Sequence, residues 1–283
     1  MQSAFSCHKN TTIGVLSRGH RYLAFDARSM QHISTFELDI AAFGDGAAVS
    51  GSNMLWFGAG LRQHRVVAVD ILSAKQLWTT EFDTEINYIK SDDKGRRLFV
   101  GCCRDILYVI DMRNGELIDR QDRVSRIWSD NSGMASVLVR ESNIELWAAK
   151  HRWIIGEAVV DQDTVQCVCF SPSEALISMR DGAVIKYQMC DGTRQVIRKG
   201  AGNHVVDISW NVQALTWNVL VSDDGTATGR LAKLQSESGD IMPYCVNHPD
   251  GLEYFSGEWF GNGQYFMCLP GLLYDINNDR WFA

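Results

Sequence analysis

Short apolar runs of five or six residues, rich in Val, Ile, Leu and Tyr, alternate along this chain with pairs or triplets of Gly, Asp, Asn and Ser. Runs of that length bounded by turn residues predict β-strands joined by tight hairpins. One phrase recurs: a run of β-formers, an Asp or a stand-in for it, then a turn. It reads YLAFDARSMQ at 22–31, VVAVDILSAK at 66–75, LYVIDMRNGE at 107–116, IELWAAKHRW at 144–153, VIKYQMCDGT at 184–193, LAKLQSESGD at 231–240 and GLLYDINNDR at 271–280. The anchor positions are Asp26, Asp70, Asp111, Ala148, Gln188, Gln235 and Asp275, with successive gaps of 44, 41, 37, 40, 47 and 40 residues.

A period in that range marks a repeat in which one four-stranded unit cannot bury its faces until it stacks on its neighbours, which is the logic of a β-propeller. Residues 86–122 show the unit most clearly, as INYIKSDDKG, RRLFVGCCRD, ILYVIDMRNG and ELIDRQD. Each piece is one strand closed by Gly or Asp, because two-residue hairpins need φ > 0 and those residues reach it at little expense. The expected fold is therefore all-β: a seven-bladed β-propeller of four-stranded antiparallel blades, one domain over residues 1–283. The extreme C-terminus is expected to form the last strand of blade 7, with no strand borrowed from the opposite terminus. The anchor Asp residues are expected to accept hydrogen bonds from backbone N–H groups of the turn between the third and fourth strands.

VQCVCFSPSE at 165–174 resembles the innermost-strand phrase of WD-repeat proteins, and VVAVD and LYVID resemble third strands of WD-repeat and quinoprotein-like propellers. The resemblance is one of fold. No Trp-Asp dipeptide ends a third strand, the nearest sequence being Leu146-Trp147-Ala148, and no Gly-His pair stands at the expected place before the inner strands. No functional residue carries over from those families.

The opening segment MQSAFSCHKNTT lacks a basic n-region and an apolar h-region, and no uncharged apolar run approaches the ~20 residues of a membrane span. A cytoplasmic protein is expected. Eight cysteines sit mostly in apolar strand segments, as buried reduced thiols do. A formal net charge of -7 argues against nucleic acid or an anionic membrane as partner and suits a basic protein.

Candidate chemistry is sparse. Cys167 and Cys169 share one strand face, but no second Cys or His pair stands at zinc-ligand spacing, and Cys102 and Cys103 point to opposite faces. No Gly-x-Ser-x-Gly elbow, His-Glu-x-x-His helix or phosphate-cradling loop occurs. No metal, cofactor or catalytic residue is assigned. In a propeller, the loops joining second to third strands and those joining successive blades share one rim. That rim would carry Arg62, His64 and Arg65 on a basic side and Asp83, Glu85, Asp122, Asp161 and Asp163 on an acidic side. The expected function is non-enzymatic protein binding through this face, specifically an inhibitor or immunity protein that neutralises a basic toxin or enzyme. The alternatives are a multi-partner scaffold and an enzyme or carbohydrate-binding propeller with its site at the central channel.

Overall fold

The computed structural model describes residues 3–7, 13–26, 28–40, 42–50, 53–60, 64–92, 96–129, 135–140, 143–148, 151–157, 165–200, 202–226, 228–246, 255, 257–260, 263–268 and 272–282. Among them there is no helix, and so none long and apolar enough to cross a membrane. Sheet 1 comprises β1 (Ser3–Cys7), β2 (Ile13–Arg18), β3 (Arg21–Asp26) and β4 (Gln31–Glu37). Sheet 2 comprises β5 (Ala42–Ser50), β6 (Asn53–Gly60), β7 (Arg65–Asp70) and β8 (Lys75–Glu81). Sheet 3 comprises β9 (Ile86–Ser91), β10 (Arg97–Cys102), β11 (Ile106–Asp111) and β12 (Leu117–Asp122). Sheet 4 comprises β13 (Val124–Ser129), β14 (Ala135–Arg140), β15 (Asn143–Ala148) and β16 (His151–Glu157). Sheet 5 comprises β17 (Val165–Phe170), β18 (Glu174–Met179), β19 (Val184–Gln188) and β20 (Arg194–Arg198). Sheet 6 comprises β21 (His204–Asn211), β22 (Thr216–Ser222), β23 (Arg230–Leu234) and β24 (Ile241–Pro243). Sheet 7 comprises β25 (Gly257–Phe260), β26 (Tyr265–Cys268), β27 (Leu272–Asp275) and β28 (Arg280–Phe282).

Every sheet is ordered in sequence, so the first and last sheets are each built from their own end of the chain, as the repeat register predicts. The strand pairings among the described residues are antiparallel, and sheets 1 to 5 share an irregularity in the pairing of third and fourth strands, for example between Val109 and Ile110. Such bulges add local twist. The chain clusters into two compact units, Met1–Glu141 and Ser142–Ala283.

In the first unit, the apolar runs are explained by burial on both strand faces. On β7, Val66 and Ala68 pack toward sheet 3 with Leu98, Val100 and Tyr108, while Val67 and Val69 pack toward sheet 1 with Tyr22 and Phe36. Side chains alternate along a strand, so only a run apolar at every position can fill the space on both sides. Tyr22, Phe36 and Trp56 make the aromatic centre between sheets 1 and 2, with ring centroids 4.9–5.6 Å apart. In the second unit, Cys167 and Cys169 do share a face and pack with Val205, Ile208 and Trp217 of sheet 6. Trp210 is partly buried against the same cluster, its ring 4.8 Å from that of Trp217.

The outer strand of one sheet receives the turn before the outer strand of the next. Trp78 on β8 donates its indole N–H to Met112 O at 3.0 Å, and the Thr80 hydroxyl donates to Gly115 O at 2.7 Å. Ser34 on β4 donates likewise to Ile71 O. Gly115 has φ 74°, and a Cβ there would lie 2.6 Å from Thr80 Oγ1 and 2.7 Å from the Trp78 ring. In the second unit, Gly192 sits against Trp153 in the same relation.

The anchor carboxylates take the expected role. Asp26 accepts the N–H of Arg28 at 2.9 Å, Asp70 that of Leu72 at 3.2 Å, Asp111 that of Arg113 at 2.8 Å and Asp275 that of Asn277 at 3.1 Å. The Arg113 guanidinium bonds to Asp111 and holds its carboxyl below the usual carboxylate range, aided by the backbone donor and opposed by burial.

Two consequences are measurable by denaturant unfolding. Gly115→Ala should destabilise by about 2–4 kcal/mol, from the left-handed backbone plus the clash with Trp78 and Thr80. Asp111→Ala should destabilise by about 0.5–2 kcal/mol at neutral pH. Because the folded pKa of Asp111 is depressed, its contribution is present above the unfolded value of about 3.9 and is lost as pH falls through the folded value, so the variant should lack that acid-side loss.

Candidate protein-interaction face

The loops that join second to third strands and those that join successive sheets meet at one end of sheets 1 to 3. Leu38 N–H donates to His20 O at 3.0 Å, Phe82 N–H to His64 O, and Val124 N–H to Asp105 O at 2.8 Å. These bonds repeat in sheets 1, 2 and 3 and lock each hairpin tip to the segment leaving its own outer strand. In sheet 3 the tip is also held from the other side, by Cys103 N–H donating to Glu85 O at 2.8 Å. That tip runs through Arg104 and Asp105, both left-handed at φ 66° and 56° although neither is glycine. Non-glycine residues hold that backbone only where their surroundings impose it.

Among the described residues, the basic side resolves into one paired cation. Arg65 donates to Asp39 at 2.8 Å, joining sheet 2 to the segment after β4. His64 is exposed, and Arg62 lies outside the described residues. Asp39, in the segment after β4, therefore offsets charge that the sequence assigns wholly to the basic side.

The acidic side centres on a tyrosine. Tyr108 on β11 is buried and donates its phenol to the exposed Asp83 at 2.6 Å. Phe82 packs on it, the ring centroids 5.0 Å apart. That hydrogen bond holds the Asp83 carboxyl below its ordinary range, with its own backbone bond, Arg120 and Arg104 acting in the same direction and desolvation against. Burial first, and Asp83 second, push the Tyr108 phenol up to about 12. Asp122 is exposed and paired with Arg120 at 3.3 Å, and its carbonyl accepts from Arg140 at 3.3 Å. Glu85 is exposed, 4.0 Å from the Cys103 thiol, which also lies 3.4 Å from Asn87 Oδ1. The structure thus gathers Asp83 and Asp122 about Tyr108 and Arg120, and ties Glu85 to the neighbouring hairpin tip. Asp161 and Asp163 lie outside the described residues.

Tyr108 and Arg120 were not singled out from sequence. Tyr108 reads as one more apolar strand residue, since its hydroxyl partner is 25 positions away. Arg120 sits in a strand that alternation labels merely as exposed.

No protein-family model matches the chain, and no curated protein matches it. Solved structures do. Hsv2 of Kluyveromyces marxianus is similar over 98% of this chain and 94% of its own, with a TM-score of 0.67 and 11% identity. Hsv2 of Kluyveromyces lactis is similar over 99% and 97%, with a TM-score of 0.64 and 9% identity. A second structure of that protein, with its complete loop 6CD, gives 98% and 95%, 0.65 and 9%. The fold is a seven-bladed β-propeller. At such identities the likeness carries the fold alone, and the finer WD-repeat or quinoprotein-like type rests on sequence phrases only. In propeller terms, the end carrying Asp83 and Arg65 is the loop-bearing rim of blades 1 to 3.

Tyr108→Phe removes the phenol donor while keeping the ring. The Asp83 pKa should rise toward the ordinary value of about 3.9, read by carboxyl-carbon NMR titration. An unchanged titration would show that the hydrogen bond is not what holds this carboxylate.

Proposed function

We propose that this propeller is a non-enzymatic, cytoplasmic binding protein that neutralises a basic protein, such as a toxin or enzyme, by docking its loop rim onto it. The observation that carries the reading is the Asp83 carboxylate, exposed yet fixed by a buried phenol. A carboxylate oriented before the partner arrives loses little freedom on binding, which is how charge at a rim contributes orientation and association rate. The clamped, left-handed tip at Arg104 and Asp105 supports it, since conformational strain persists where a surface must keep one shape. The net charge of -7 adds long-range attraction for a cationic partner.

The test is affinity purification of the tagged protein from its own host, followed by binding kinetics with the stoichiometric partner. Asp83→Lys with Glu85→Lys should slow association roughly tenfold and flatten its salt dependence, with a smaller change in dissociation. Arg113→Glu, on the turn at the opposite end of sheet 3, is the control and should not slow association. Loss of binding in the control and not in the rim variant would place the interface elsewhere.

A further inference from the structure

Arg120 stands directly across from Tyr108 in the β11–β12 pairing, and its guanidinium carbon lies 5.7 Å from the centre of the Tyr108 ring. The same guanidinium bonds Asp122 at 3.3 Å, through both Nε and Nη2. Asp83 joins the same group through the Tyr108 phenol, which donates to it at 2.6 Å. An aromatic face with carboxylates at its margin is a complete setting for a planar cation: the ring attracts it electrostatically and the carboxylates take its N–H groups. The cation in that setting comes from an exposed side chain on an outer strand. Arg120 is 47% exposed and Asp122 68% exposed, so the ion pair is water-screened and weak enough to exchange.

We propose that this cluster is an arginine-recognition subsite, in which Arg120 is a resident guanidinium that an arginine protruding from the partner replaces. The inference rests on the protein-binding reading of the rim and names the group that the rim selects. A guanidinium is favoured over an ammonium because it stacks flat on the tyrosine, is more weakly hydrated and presents a fork of donors to Asp83 and Asp122. Once displaced, the Arg120 side chain is free to turn to solvent, so the exchange leaves no buried charge unpaired.

The probe is a pair of blocked tripeptides, glycine-arginine-glycine and glycine-lysine-glycine, titrated into the 283-residue chain at low salt and followed by NMR shifts. Arg120→Ala should bind the arginine peptide about fivefold more tightly than the wild type, with shifts centred on Tyr108, Phe82 and Asp122. Arg120→Gln, which keeps much of the side chain, should behave in the same direction and guards against a packing defect in the alanine variant. Adding Asp83→Asn to Arg120→Ala should remove the gain. Equal binding of the arginine and lysine peptides by Arg120→Ala, no gain over wild type in either variant, or shifts centred elsewhere would each overturn the proposal. Should that happen while Asp83→Lys with Glu85→Lys still slows the partner's association, the rim reading stands and only the subsite falls; if those reversals have no effect either, the rim reading falls with it.

Discussion

A four-stranded sheet has two faces and, in this chain, apolar side chains on both. Val66 and Ala68 leave β7 in one direction and Val67 and Val69 in the other, so sheet 2 is covered only when sheets 1 and 3 are both present. Burying a Val or Leu side chain is worth about 1.5–3 kcal/mol, so each such face represents several kcal/mol that an isolated sheet forgoes. The turn that Gly115 makes against Trp78 and Thr80 acts on the same interface in a different way: it sets where along the outer strand the next sheet sits. Apolar burial is non-directional, and these hydrogen bonds supply the register that it lacks.

The rim geometry follows from that stacking. Tyr108 presents its ring to the space between sheets 2 and 3, and Asp83 leaves sheet 2 just as the chain crosses to sheet 3. Their hydrogen bond is therefore an inter-sheet contact before it is a feature of a binding surface. The phenol satisfies itself on a carboxylate at the water boundary, so the buried tyrosine leaves no polar group unpaired and the exposed aspartate gains a fixed orientation. The Arg65–Asp39 pair does the equivalent between sheets 1 and 2 with a half-buried guanidinium and an exposed carboxylate, and is correspondingly worth less.

What could be read from the sequence and what could not divide along physical lines. The strands, their number and their turns were legible because they obey local rules: apolar runs of set length, Asp at the head of a turn, Gly where φ is positive. Asp26, Asp70, Asp111 and Asp275 bond to N–H groups two residues on, and a short-range pattern announces them. The rim residues were legible only as charged loop positions. Which of them pair depends on contacts across sheets, and nothing local in DTE at 83–85 or RQD at 120–122 tells that Asp83 meets a tyrosine and Arg120 covers the same ring. Glu145 is a further case, a fully buried carboxylate in a third strand satisfied by the Trp147 indole and Arg152, at a blade whose anchor position is Ala148.

Docking through the loop end of the first three blades is what we propose for this propeller, and it should leave a footprint on the backbone. Amide hydrogen exchange of the free protein and of its complex with the partner purified from the host tests it most directly, because backbone protection reports contact segment by segment. Exchange should slow at 38–40, 82–86, 102–106 and 122–124 in the complex and stay unchanged at the opposite turns, 28–31, 70–75 and 111–117. Protection confined to those opposite turns would contradict it.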